Sequence, residues 1–258
     1  MLPLLTKDIR VFVSPREVAM ALVTGGKVLD ARYQAFSDEV KVPCEEAIKI
    51  ANEWVSLLGL VRVRATLLLS SELAPLTLIP WDHTGNFDNR KREALECFNR
   101  AGVDQRSEDD IFIATTGFGK PALVSSVHPS VLEYAKSFLD AINLISVKPL
   151  SVSLLNAALR KNRTPIYWFV VAENKNLIIF YIENSITTII RTLPLRILDD
   201  FDLKDLLNRE ILMLGKTITN APIFSASNLN GAHSLVDTGW SSGYELNAFP
   251  LHLIGSKE

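Results

Sequence analysis

The chain has 258 residues, of which 48% are hydrophobic and 22% charged, and its formal net charge is -2. This composition excludes a disordered chain, a collagen-like repeat and a small disulfide scaffold, and the near-neutral charge argues against a protein built to hold nucleic acid. The length suffices for one large domain or two of moderate size. The cysteines, Cys44 and Cys97, are not spaced as metal ligands and indicate ordinary thiols of a reducing compartment.

No stretch predicts a signal peptide or a membrane-spanning helix. The first eight residues lack a basic start, and Pro3 interrupts their short apolar run. The most apolar stretch, residues 166–172, ends at Glu173 and is far shorter than the about 20 residues that a spanning helix needs. We therefore expect a buried strand here and a soluble, cytoplasmic protein.

The first part of the chain predicts the order strand, strand, strand, helix, strand. Gly25 and Gly26 permit a tight hairpin turn between the second and third strands. Apolar residues such as Ala47, Ala51 and Trp54 recur at helical spacing, and Gly59 follows as a stop. The predicted strands are residues 8–13, 18–23, 27–36 and 64–70, and the predicted helix is 44–58.

The same order returns later in the chain. Its predicted strands are residues 166–172, 177–182, 186–193 and 223–226, and its predicted helix is 199–214. The two groups are offset by roughly 157 positions and share the order and spacing of their elements rather than their residues. The pattern predicts a duplicated α/β unit.

Different material separates the two copies. It comprises predicted strands at 75–81, 110–115 and 122–127, the last two forming a hairpin around Gly117-Phe118-Gly119, and predicted helices at 89–101, 129–145 and 151–161. We expect a small α+β subdomain packed on the first copy. The predicted division is a first lobe at 1–74, an inserted subdomain at 75–150 and a second lobe at 151–258.

Three stretches carry a resemblance to a known superfamily. They are Leu67-Leu68-Leu69-Ser70 with the strand that ends in Pro80-Trp81; residues 122–127 with the following helix and Val147-Lys148-Pro149-Leu150-Ser151; and residues 166–172 and 177–181 with Ile189-Ile190-Arg191-Thr192-Leu193-Pro194. On these residues the chain resembles actin-like ATPases of the pilus-assembly branch, namely PilM-like proteins and the cytoplasmic domain of GspL-like proteins. The resemblance implies an α/β fold of duplicated RNase H-like lobes with a small inserted α+β subdomain.

The turns that should bind nucleotide depart from the superfamily pattern. The first turn reads Ser14-Pro15-Arg16, in which Pro15 has no amide to donate to a phosphate. The second contains Glu173, whose charge would repel phosphate unless Mg²⁺ intervened, and the adenosine turn retains one glycine, Gly231. We therefore predict degenerate nucleotide-binding turns, no catalytic residue, no metal and no cofactor.

The resemblance implies a non-catalytic scaffold in type IV pilus or type II secretion assembly of a Gram-negative bacterium. Its expected partner is the N-terminal tail of a bitopic inner-membrane protein, docked in a groove between subdomains by strand addition or as an extended peptide. The protein would be cytoplasmic or peripheral at the inner membrane, without a span of its own and without a nucleic-acid ligand.

Two other functions stay open. In the first, ATP with Mg²⁺ binds through altered turns around Ser14, Asn174 and Gly231, as in an active PilM-like ATPase. In the second, carboxylates hold metal ions, as in RNase H-like nucleases; the cluster concerned is Asp199, Asp200, Asp202 and Asp205. These acids also suit a helix start, where they meet the positive end of the helix dipole.

Local motifs for other chemistry do not fit. Gly117-Phe118-Gly119-Lys120 lacks the glycine spacing of a phosphate loop, and Pro121 stands where such a loop needs Ser or Thr. Ser125, His128 and Asp140 have no nucleophile-elbow pattern around them. The four histidines, His83, His128, His233 and His252, are not spaced as metal ligands.

Overall fold

The structure is a computed structural model. It describes residues 7–24, 27–36, 42–60, 63–81, 87–103, 107–114, 119–137, 142–173, 176–194, 203–213, 215 and 221–227. The strands are β1 (Lys7–Val13), β2 (Glu17–Thr24), β3 (Lys27–Ala35), β4 (Val63–Leu69), β5 (Leu76–Ile79), β6 (Ile111–Ile113), β7 (Ala122–Ser126), β8 (Ile142–Pro149), β9 (Ile166–Ala172), β10 (Asn176–Glu183), β11 (Ile186–Pro194) and β12 (Ile223–Ser227). The helices are α1 (Pro43–Leu57), α2 (Phe87–Arg100), α3 (Pro129–Ser137), α4 (Leu150–Lys161) and α5 (Leu203–Met213), with a short 3-10 helix at Glu108–Asp110.

Three sheets organise these elements. The first lobe contains a five-stranded sheet in the order β3-β2-β1-β4-β8, and the second contains a four-stranded sheet in the order β11-β10-β9-β12. A small third sheet has the order β5-β7-β6. In both large sheets the first strand pairs antiparallel with its hairpin neighbour and parallel with the strand that follows the helix, so the predicted duplication is confirmed.

The two lobes have the same hairpin register. Lys7 lies opposite Thr24 in the β1–β2 pair. Ile166 lies opposite Glu183 in the β9–β10 pair, and each of these residues comes 159 positions after its counterpart. The repeat therefore resides in backbone pairing, which explains why it appears as an order of elements and not as similar residues.

The duplication extends to an irregularity in the third strand of each lobe. The β2–β3 register shifts between Leu22 and Val23, and the β10–β11 register shifts between Tyr181 and Ile182, again 159 positions later. A bulge of this kind bends a strand and increases its local twist. By the same offset, Ser14 after β1 corresponds to Glu173 after β9.

The central strands are buried on both faces because the lobes share a core. This shared core consists of Phe12, Ala19, Ala21, Val23, Leu68, Leu76, Leu150, Leu154, Leu155, Tyr167, Phe169, Val171, Ile178, Phe180, Ile182 and Ile190. The opposite face of the first sheet packs on α1 and α3, and the opposite face of the second packs on α5. Strands covered twice have continuous apolar runs instead of alternation, as in residues 166–172.

Helix α1 confirms the predicted helix and its stripe. Ala47, Ala51 and Trp54 are buried against the first sheet, and the indole N–H of Trp54 donates to the carboxylate of Asp30 on β3 at 3.3 Å. Gly59 follows the helix with a φ of 60°, a conformation that glycine adopts without a Cβ penalty.

Helix α2 packs against the small sheet β5-β7-β6 and buries Ala94 and Phe98 there. The predicted pairing of the segments around residues 110–115 and 122–127 is confirmed, with Ile113 opposite Val124. The turn at Gly117-Phe118-Gly119 lies mostly outside the described residues. No helix in the described part of the chain is both long and apolar enough to cross a membrane.

The predicted helix at 129–145 is wrong at its end. Helix α3 covers Pro129–Ser137, residues 138–141 lie outside the described ranges, and residues 142–149 form β8, which pairs parallel with β4. The segment Ile142-Asn143-Leu144-Ile145-Ser146-Val147 is rich in β-branched side chains, which favour strands. This segment pairs with β4, which is far away in the chain, so helical spacing alone could not reveal the pairing. Helix α5 agrees with the prediction from Leu203 onward, and its predicted start lies outside the described residues.

We predict that Phe180→Ala destabilises the whole protein. Phe180 is fully buried in the shared core, which contains residues of both lobes, so its truncation should lower the free energy of unfolding by about 3–5 kcal/mol. Denaturant unfolding monitored by circular dichroism measures this change, and a single transition is expected.

Leu57→Ala is the matched control, since Leu57 is 73% exposed at the end of α1 and surface truncations usually change stability by no more than about 0.5 kcal/mol. Two separate unfolding transitions, or a loss confined to one lobe, would contradict a core common to both lobes.

Candidate functional site

Three strand ends meet where the lobes face each other. They are the carboxyl ends of β1 and β4 in the first lobe and of β9 in the second. Ligands of open α/β sheets bind beyond the carboxyl ends of the strands, so the residues that follow these three strands form the candidate site. The site consists of two hairpin turns and the segment that begins at Ser70.

The first turn, between β1 and β2, uses its own donors internally. The Ser14 amide donates to the Glu17 carbonyl at 3.0 Å. The Ser14 hydroxyl accepts from the amides of Arg16 at 3.2 Å and Glu17 at 3.1 Å, while Pro15 has no amide. Three of the turn's amides are therefore already bonded within the turn, which opposes their use as a phosphate cradle.

The segment after β4 is tied to this first turn. The Ser70 amide donates to the Val13 carbonyl at 2.9 Å, and the Ser70 carbonyl accepts from the amides of Leu73 and Ala74. This compact turn holds Ser71 at the edge of the first lobe, and Ser71 is buried. Its amide and its hydroxyl both point to a group from the second lobe.

That group is the carboxylate of Glu173, in the turn between β9 and β10. Glu173 Oε2 accepts from the Ser71 amide and from the Ser71 hydroxyl, both at 2.7 Å. Asn176, at the start of β10, donates from Nδ2 to the Ser71 hydroxyl oxygen at 3.1 Å. Short bonds of this kind to a carboxylate are among the stronger hydrogen bonds in proteins, and here they join the two lobes.

The turn itself is a tight hairpin. The Glu173 amide donates to the Asn176 carbonyl at 2.8 Å, and the Asn176 amide donates back to the Glu173 carbonyl at 3.2 Å. The Glu173 amide is thus bonded within the turn, and its side chain is 3% exposed. Geometry at this turn therefore directs a carboxylate toward the first lobe.

The pKa of Glu173 is raised to about 7, chiefly by burial and to a smaller extent by the nearby carboxylates of Glu72 and Glu17, while the Ser71 bonds lower it. The second oxygen, Oε1, is buried and has no hydrogen-bond partner within the described part of the chain. A proton on Oε1 would leave both Ser71 bonds to Oε2 intact and remove the cost of a buried charge. The site is therefore suited to hold a proton and is electrostatically unfavourable for phosphate.

Glu17 adds to this negative character. It is 4% exposed, and its Oε2 accepts from the Tyr33 hydroxyl at 2.9 Å. By the lobe repeat, Glu17 corresponds to Asn176. Both lobes thus place a polar side chain at the start of the second strand, and the one from the second lobe, Asn176, donates to the Ser71 hydroxyl.

Ser14, Asn174 and Gly231 are the residues predicted to bind nucleotide if the protein binds one. The structure describes Ser14. It lies in the first turn with its hydroxyl engaged as above. Asn174 and Gly231 lie outside the described residues, and a joint site of the three stays a prediction.

Most residues of the nuclease hypothesis and most of the histidines lie outside the described ranges. Asp205 is exposed on α5, and Asp199, Asp200 and Asp202 lie outside the described residues. His128 contacts Ser130 at the start of α3, and the other three histidines are outside the described ranges. Within those ranges, no group of three or more metal-binding side chains is close enough to share an ion.

Sequence reasoning identified Glu173 as a charge in the second turn but missed its contact with Ser71. The two residues are 102 positions apart, and neither spacing nor composition relates them. A signal did exist, because Ser71 and Glu173 each follow a strand with a continuous apolar run, and such strand ends lie at the same edge once the lobes face each other.

The raised pKa predicts a stability that depends on pH. Between 4.5, its ordinary value, and about 7, folded Glu173 keeps a proton that the unfolded chain has lost. This contribution is present below that window and is lost as the pH rises through it. Glu173→Gln is neutral and nearly isosteric. We expect its melting temperature to fall less between pH 4.5 and 8 than that of the wild type.

The control is Glu53→Gln, because Glu53 is exposed on α1 and its removal should leave the wild-type pH profile unchanged. Differential scanning calorimetry across this range gives the comparison. Parallel profiles for wild type and Glu173→Gln would show that Glu173 is charged in the folded protein throughout.

Solved structures with the same arrangement of sheets exist. A Bacteroides thetaiotaomicron VPI-5482 protein with actin-like ATPase fold and unknown function has a TM-score of 0.59 and 9% identity, over 90% of this chain and 85% of that one. The cytoplasmic domain of EpsL, an inner membrane component of the type II secretion system of Vibrio cholerae, has a TM-score of 0.54 and 10% identity, over 98% and 97% of the two chains.

A chain of the PilM-PilN type IV pilus biogenesis complex is also similar, with a TM-score of 0.57 and 9% identity over 85% of this chain and 81% of that one. No family model and no curated protein matches the sequence. Identities this low bear on architecture alone. The sheet order, the repeated register and these similarities together show that the chain has the α/β actin-like ATPase fold.

Proposed function

We propose that the protein is a non-catalytic, actin-like scaffold in the assembly of a type IV pilus or type II secretion system. It binds a cytoplasmic segment of a membrane-anchored assembly partner at the cytoplasmic face of the inner membrane. The observation that carries this proposal is the contact between Glu173 and Ser71, which occupies the junction of the lobes with a protein carboxylate.

The contact bears on function because a carboxylate and a phosphate compete for the same donors. The Ser71 amide and hydroxyl are the kind of groups that bind phosphate in other proteins. Here they are already bonded to Glu173, and the amides of the first turn are bonded to Ser14 and Glu17. Nucleotide would have to break these bonds and enter beside the carboxylates of Glu17 and Glu72.

The similar structures support the assembly role. Two of them belong, by their descriptions, to a type II secretion system and to a type IV pilus biogenesis complex, and the second contains a bound partner, PilN. An architecture whose described turns have their amides bonded internally is suited to present a surface rather than to turn over a substrate. The proposed partner is the N-terminal tail of a bitopic inner-membrane protein.

We also propose a refined domain division. The predicted inserted subdomain at 75–150 includes residues 142–149, which belong by strand pairing with the sheet of the first lobe. The inserted subdomain then consists of β5, β6, β7 and α2, with α3 packed against α1 of the first lobe.

We expect no nucleotide binding. Calorimetric titration with Mg-ATP and Mg-ADP at millimolar concentration should give no saturable heat, and neither nucleotide should raise the melting temperature. Saturable heat with one site per chain would support the ATP-binding alternative, and its loss on substitution of Ser14 and Gly231 would assign the residues.

We expect a partner to be retained through its cytoplasmic tail. The full chain, co-expressed with the bitopic inner-membrane protein of the pilus or secretion system from the same genome, should co-purify with it in detergent. The matched control is the same membrane protein without its N-terminal cytoplasmic segment, which should not be retained. Equal retention of both forms, or of neither, would contradict tail docking.

A further inference from the structure

Strand β3 is an outer strand of the five-stranded sheet. It pairs with β2 on one side, and no strand of the described residues pairs with its other side. Three large apolar side chains on it are exposed, namely Val28 at 38%, Leu29 at 58% and Tyr33 at 42%. A long outer strand with exposed apolar residues is a template for pairing with another strand.

The backbone of β3 has a donor at this open edge. The Ala31 amide donates at 2.9 Å to the carboxylate of its neighbour Asp30, in an exposed contact. Amides on the inner side of an outer strand bond to the adjacent strand, so this bond to a side chain places the Ala31 amide on the solvent side. Ala31 is itself exposed.

The residues around Ala31 are self-complementary. Counting outward from it, Asp30 precedes and Arg32 follows, and then Leu29 and Tyr33 flank them. If two β3 strands ran antiparallel about a two-fold axis at Ala31, Asp30 of each would lie opposite Arg32 of the other. Cross-strand pairs of opposite charge stabilise sheets. Leu29 is the extra residue of the β3 bulge, and it would lie near Tyr33 of the other copy at the end of the regular pairing.

The faces of the sheet agree with this pairing. Asp30 and Arg32 both contact Trp54 of α1, the first by a hydrogen bond and the second with its guanidinium 6.0 Å from the ring centroid. They therefore share the α1 face, and Tyr33, the next residue after Arg32, lies on the other. Leu29 is the extra residue of the bulge, where the alternation is interrupted. A two-fold axis perpendicular to the sheet keeps each face on its own side in both copies, so opposed residues match.

Neighbouring registers are worse. An axis at Asp30 would place two aspartates opposite each other, and an axis at Arg32 would oppose two arginines, which is destabilising. An axis between two residues would oppose side chains that point to different faces. The axis at Ala31 pairs opposite charges and brings the exposed apolar residues of the two strands near each other.

We propose that β3 pairs with β3 of a second copy of this chain, antiparallel and centred on Ala31, so that the two five-stranded sheets become one continuous sheet. The proposal does not depend on the proposed function. In the dimer the Ala31 amide leaves its own Asp30 and donates to the partner strand, and Asp30 turns to Arg32 of the second copy. Strand pairing of this kind is a closed, isologous interface.

Sedimentation equilibrium of the full chain tests the interface. The wild type should be a dimer at high micromolar concentration. Leu29→Lys places a charge in the interface without disturbing a buried side chain, and should give a monomer with an unchanged melting temperature at low concentration. Leu57→Lys changes an equally exposed leucine on α1 and should remain dimeric. A monomeric wild type, or a Leu29→Lys dimer of equal affinity, overturns the proposal.

Cross-linking tests the register. Ala31→Cys, in a Cys97→Ser background, should form a disulfide-linked dimer on mild oxidation, because directly opposed Cα atoms of an antiparallel pair are about 4.5–5.5 Å apart. Ala35→Cys lies on the same exposed strand, but its two copies would be about 25 Å apart. Equal cross-linking at both positions, or cross-linking at Ala35 alone, overturns the proposed axis.

Discussion

A carboxylate with only 3% of its surface exposed must accept hydrogen bonds or take up a proton. Glu173 accepts two hydrogen bonds from Ser71, and its raised pKa favours a proton. The two 2.7 Å bonds run between the second lobe and the first. Because Ser70 is bonded to the end of β1, the same contact links both turns that face the junction. The chemical character of the junction therefore depends on one side chain.

The shared core sets where this contact can form. Apolar faces of both sheets, with α4 beside them, fix the sheets against one another, and the strand ends then converge at the same edge. Lobes held in this way by continuous packing offer a rigid surface. The polar junction is smaller than this core, but it decides which ligands can enter. It presents carboxylates and amides that are already hydrogen-bonded, where a nucleotide needs free donors.

Much of the fold could be predicted from the sequence because strand runs and helix stripes are local. Residues 166–172 indicate a doubly buried strand, and the repeated order of elements indicates the duplication that the common register of Lys7–Thr24 and Ile166–Glu183 confirms. The strand at 142–149 was missed because its partner β4 is distant in the chain. For the same reason Glu173 could be recognised as a charge in a phosphate turn, whereas its bonds to Ser71 depend on how the lobes pack.

The most direct measurement is a crystal structure grown with an excess of Mg-ADP. The account predicts that Glu173 Oε2 lies within hydrogen-bonding distance of the Ser71 amide and hydroxyl, and that no nucleotide density occupies the junction of the lobes. Density for ADP between the turns after β1 and β9, with the Glu173 side chain displaced from Ser71, would contradict it.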